Sequence, residues 1–154
     1  MTASQNLSRT VVEDLYEQAL VLADEARAVF DLRADEIIDG NEDMVRIALS
    51  IEGLKTTTRI MHALAWLLNQ RAYMAGELSE FQLERCGNLP ASRAPDPAQL
   101  DHLLPETCAL IRETEALHAR VARLDAQQRE LREEERGPAG ALQRRIANAF
   151  SAGS

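Results

Sequence analysis

From Val12 the apolar residues fall at 3-4-3-4-3 spacing: Val12, Leu15, Ala19, Leu22, Ala26 and Val29. That rhythm places them on one seam of a helix. Tyr16, Leu20, Ala23 and Phe30 widen the seam. Thr10 with Glu13 three residues later reads as a capping box, so the helix is predicted to start there. Gly40 supplies a left-handed stop before a second helix that opens at Asn41–Asp43. The second helix runs to about Ala75, with Gly76 as its stop, and is about 50 Å long.

A short helical turn is predicted in "SEFQLERCG", between Ser79 and Gly87. "NLPASRAPDP" is a loop, after which Asp96-Pro97 reads as an N-cap followed by a first-turn proline. A proline inside a helix costs about 3 kcal/mol or more. The short turn over 97–103 is therefore separated from a last long helix that begins at Pro105. Thr107, Leu110, Thr114, Leu117, Val121, Leu124, Gln128 and Leu131 form its seam, broadened by Cys108 and Ile111. It is predicted to stop at Gly137-Pro138. No stretch alternates with period two, so no strand is expected. The predicted fold class is all-α: an antiparallel up-down three-helix bundle with short extra helical turns between helices 2 and 3. The third long helix is expected to run antiparallel to the second. The predicted domain is 1–136, followed by a flexible C-terminal tail at 137–154.

One stretch of the second helix, "KTTTRIMHALAWLLNQRA", carries two kinds of row. Glu52, Lys55, Arg59, His62, Trp66, Asn69 and Tyr73 recur at 3-4 spacing, and each is charged, polar or an aromatic with a polar handle. The rest of the circumference is mostly apolar, including Leu64 and Leu68, which are predicted to be buried. The polar row is then the one face left for solvent or a partner. Trp, Tyr and Arg together are what binding hot spots favour. The threonines are poor helix formers that tertiary packing must hold.

Composition narrows the function. The 154 residues are 45% hydrophobic but 4% aromatic, so the core is aliphatic. The formal charge of -8 disfavours free nucleic acid as a partner. The apolar run Ile60–Leu68 is far shorter than the roughly 20 residues that span a bilayer. No secretory signal pattern opens the chain, and Cys86 and Cys108 sit in no metal spacing. A cytoplasmic protein without a membrane span is expected. The tail carries Arg144 and Arg145 and no acid, leaving -10 for the rest. Leu142, Ile146 and Phe150 recur every four residues there, so the tail reads either as a disordered end or as a short helix that folds onto a partner.

No phosphate loop or nucleophile motif occurs, so no enzyme and no cofactor is expected. Glu115-Ala116-Leu117-His118 has the Glu-x-x-His spacing of di-iron bundles, but no second copy of it exists.

Residues 52–78, "EGLKTTTRIMHALAWLLNQRAYMAGEL", resemble the signature segment of the RcdA family, regulators of CtrA degradation in bacterial cell-cycle control. Glu52, Thr57-Thr58-Arg59, Met61, Trp66-Leu67-Leu68, Gln70-Arg71-Ala72 and Gly76-Glu77 carry the likeness. "EALVLADEARAVFD" and "ALHARVARLD" extend it over most of residues 12–125. Lys55 departs from it, standing where an arginine is expected. The resemblance implies a three-helix bundle, often dimeric, with a flexible tail. It implies an adaptor that joins ClpXP with its priming factor and delivers cell-cycle regulators. The expected partners are therefore that protease complex, substrate or regulator proteins, and a second copy. The expected protein-binding residues are the seven of the polar row together with Leu142, Arg144, Arg145, Ile146 and Phe150. Two alternatives stay open: a dimeric helical signalling protein unrelated to proteolysis, and a metal-binding bundle centred on His118.

Overall fold

The computed structural model describes residues 3–32 and 42–152, which are mostly helical and contain no strand. Five helices appear among them: α1 (Ala3–Leu32), α2 (Glu42–Met74), α3 (Glu80–Arg85), α4 (Pro97–Leu100) and α5 (Pro105–Ser151). The chain falls into two compact units, Met1–Val121 and Ala122–Ser154. The expected stop at Gly40 and the start at Asn41 lie outside the described residues.

In the first unit α1 and α2 lie antiparallel. Arg9 Nη2 near the start of α1 donates to Met74 O at the end of α2, 2.9 Å away. Further along, Arg71 Nε donates to Glu13 Oε1 at 2.9 Å. Gly53 sits so close to Phe30 that an added Cβ would lie 3.0 Å from its ring. The predicted seam of α1 is the buried one, from Val12 to Ala26. Its start differs: α1 extends back to Ala3, and Thr10 Oγ1 donates to Asn6 O at 3.1 Å within the helix. Thr10 is therefore not a cap. Its hydroxyl bonds the preceding turn instead.

The stops and caps between the long helices are as predicted. Gly76 adopts φ 79°, and Glu77 N closes back on Ala72 O at 2.9 Å, a C-terminal turn that favours glycine. Ser79 caps α3 in a full capping box with Gln82. Asp96 caps α4 by accepting from Ala98 N at 3.0 Å, with Pro97 in the first turn.

The direction of the last long helix corrects the sequence expectation. Thr114 meets Arg59, at 3.0 Å between Oγ1 and Nη1. One turn on, His118 feels the charge of His62. Residues 114 and 118 thus follow 59 and 62 in order, so the Pro105–Val121 part of α5 runs in the same direction as α2. The reason lies in the connection. Residues 88–96 return along α2 in extended form, and nine residues reach up to about 30 Å. Such a connection erases the antiparallel order that a short loop would enforce. Arg120 Nη1 donates to Gln18 Oε1 at 2.9 Å and ties α5 to α1.

The second unit is the continuation of α5. Its backbone breaks helical geometry at Gly137, with φ 52° and ψ -164°, just before Pro138. The predicted stop is thus a kink, and helix resumes to Ser151 beyond it. No helix among the described residues is long and apolar enough to cross a membrane.

Candidate functional site

The row expected to face outward is largely turned inward. Glu52 and Arg59 are 0% and 1% exposed, and Trp66 is buried too. Lys55, His62 and Asn69 are half-buried, and Tyr73 alone of the seven is exposed. The correction has a clear cause: buried polar groups must find partners, and the returning segment supplies them. Arg59 donates three ways, from Nε to Ser92 Oγ at 2.7 Å, from Nη2 to Arg93 O at 2.8 Å, and from Nη1 to Thr114 Oγ1. Lys55 Nζ donates to Ala94 O at 3.2 Å and to Glu52 Oε1 at 3.0 Å. The same Glu52 oxygen accepts from Asp96 N at 3.1 Å. His118 Nε2 lies 3.0 Å from Pro90 O. A carbonyl only accepts, so that ring nitrogen carries the proton.

This cluster holds the segment from Pro90 to Asp96 against α2. Its electrostatics are those of a closed site. Burial lowers the Arg59 pKa, and the charges of Glu115 and Glu52 oppose the shift. Burial also lowers His118. The Arg59 and His62 charges add to the lowering, and the bond to Pro90 opposes it. Glu52 Oε2 and Thr56 Oγ1 are buried without a hydrogen-bond partner. No group of three or more His, Cys, Asp or Glu side chains is placed to share a metal among the described residues.

With the polar row inside, an apolar row is outside. Met44, Ile47, Ile51, Leu54, Thr58, Met61, Ala65 and Leu68 follow 3-4 spacing along α2, and all are exposed. Leu54 is 67% exposed and Met61 62%. Leu68, expected in the core, is 47% exposed, and Leu64 is only half-buried. The burial of α2 is instead carried by Ala48, Leu49, Ile60, Ala63, Trp66 and Leu67. Both rows share the 3-4 spacing, and the sequence alone does not say which one faces the core. The one available signal was that the connection after α2 carries backbone carbonyls needing donors.

The second unit presents the remaining predicted residues. Leu142, Ile146 and Phe150 lie exposed on the helix after the kink, Phe150 at 79%. Arg145 is exposed beside them. Arg144 belongs to the same helix, but its side chain lies outside the described residues. At the far end of α2, Arg71 stacks on Tyr16, 4.1 Å from the ring centroid. Its bond to Glu13 raises its pKa.

One family model, described as a protein of unknown function, matches residues 3–150. No curated protein and no solved structure matches the chain.

Proposed function

The chain belongs to the DUF1465 family, and from its surfaces we propose that it is a non-enzymatic adaptor built on three long helices. In this reading it joins a ClpXP-type protease and its priming factor to cell-cycle substrates in the cytoplasm, and it pairs with a second copy. The observation that carries the reading is the tail helix after Gly137. Its apolar row, Leu142, Ile146 and Phe150, is exposed on a segment with two arginines and no acid. An exposed amphipathic helix of this kind suits docking into an apolar groove of a partner. The polar residues that would attract a catalytic reading are occupied in holding residues 90–96. The resemblance of residues 52–78 to the RcdA segment supplies the proteolytic setting.

The apolar row of α2 favours pairing whether or not the partner is a protease, so a dimeric signalling protein is the second reading. Affinity capture of the full chain from native lysate, beside Ile146→Asp, separates the two. The adaptor reading expects a Clp subunit or a cell-cycle regulator on the full chain and its loss from the variant. Capture of neither contradicts it.

A further inference from the structure

The outward row of α2 is long, apolar and free of charge. From Met44 to Leu68 it spans about 36 Å of helix. Every exposed residue of α2 between Ile47 and Leu68 is uncharged: besides the row itself, these are Ser50 and Thr57. On a chain with net charge -8, such a face is where two copies meet with least repulsion. Its six large side chains, Met44, Ile47, Ile51, Leu54, Met61 and Leu68, are 38–67% exposed. They present on the order of 600 Å², and the small residues add to this, against roughly 800 Å² per partner in a stable interface. That patch is at the upper end of the roughly 300–600 Å² of the largest apolar patch on a typical monomer, and such patches are often functional.

Resting on the pairing in the reading above, we infer that two copies join antiparallel across this row. The two-fold axis crosses α2 between Leu54 and Thr58. Antiparallel packing places alternate seam positions of one helix opposite the other kind in its partner. In this register all eight residues are used. Ile47 faces the second copy's Ala65, Leu54 its Thr58, Met44 its Leu68 and Ile51 its Met61. Each small residue thus receives a large one, as dense packing requires. A parallel pair would instead set Thr58 on Thr58 and Ala65 on Ala65, leaving two thin layers.

The test uses full-length chains in which Cys86→Ser and Cys108→Ser remove the native thiols. One carries Ile47→Cys and the other Ala65→Cys, both at exposed positions. The chains are oxidised with copper–phenanthroline, separately and mixed, beside sedimentation of the parent. The expected result is a disulfide-linked dimer in the mixture and little in either chain alone, because like positions lie about 27 Å apart along the axis. Dimers in each chain alone, with a dimeric parent, overturn the antiparallel register but leave pairing intact. No linked species and a monomeric parent at every concentration overturn both.

Discussion

Arg59 on α2 reaches Thr114 on α5 at 3.0 Å with both side chains buried, and the same guanidinium holds Ser92 and the Arg93 carbonyl. One side chain therefore sets both the path of the returning segment and the height of α5 along α2. Removing it strands three acceptors in and beside the core, while Glu52 keeps Lys55 at 3.0 Å. Arg59→Ala is expected to cost about 2–5 kcal/mol through three lost hydrogen bonds and the cavity it leaves. Arg59→Lys restores charge but not the planar fork, and stays at least about 1 kcal/mol below the parent. Urea unfolding of the three chains checks this. A loss for Arg59→Ala no larger than that of a surface substitution would mean that the segment is not held this way.

The inverted face of α2 makes neighbouring leucines behave oppositely. Leu67 is fully buried and Leu68 is exposed. Leu67→Ala should cost about 2–5 kcal/mol through the cavity it leaves. Leu68→Ala should cost under about 1 kcal/mol at concentrations where the chain is monomeric. Denaturant midpoints of the two variants decide the phase of the helix, and equal losses would contradict it.

Acid should loosen the cluster through His118. Burial first, then the Arg59 and His62 charges, hold its pKa below 6.5. As pH falls below 6.5 the unfolded chain takes up a proton that the folded chain resists, so the equilibrium shifts toward unfolding. The His118 contribution is whole above that pH and is lost as pH falls toward and through the folded value. His118→Gln keeps a donor for Pro90 O but does not titrate. Between about pH 7.5 and about pH 5.5 its stability should fall less than the parent's. Equal falls would remove His118 from the pH response.

Apart from Thr10, which lies inside α1 rather than at its start, local chemistry made the boundaries of the elements legible. Ser79, Asp96-Pro97, Pro105 and Gly137 mark their boundaries by capping or by backbone geometry, and each mark is found in the structure. The seam of α1 was legible because its opposite face is plainly charged. The phase of α2 was not. It has an apolar row and a polar row of equal spacing, and the usual assignment of charge to solvent sends Glu52 and Arg59 outward. What reverses it is the segment Pro90–Asp96, whose carbonyls and amide take their partners from side chains of α2 and α5. That is a tertiary fact, and so is the direction of α5, which depends on how far the same segment runs back.

The central claim, delivery of a protein partner through the tail, is tested most directly by reconstituted degradation. Purified ClpXP, its priming factor and a cell-cycle substrate are combined with the full chain or with Ile146→Asp, whose charge falls in the middle of the apolar row. Ile146 is about half-exposed, so the variant should unfold at the parent's midpoint. The account predicts faster substrate loss with the full chain and most of that acceleration gone with Ile146→Asp. Equal acceleration by the two would contradict the role of the tail, and no acceleration by the full chain would contradict the adaptor itself.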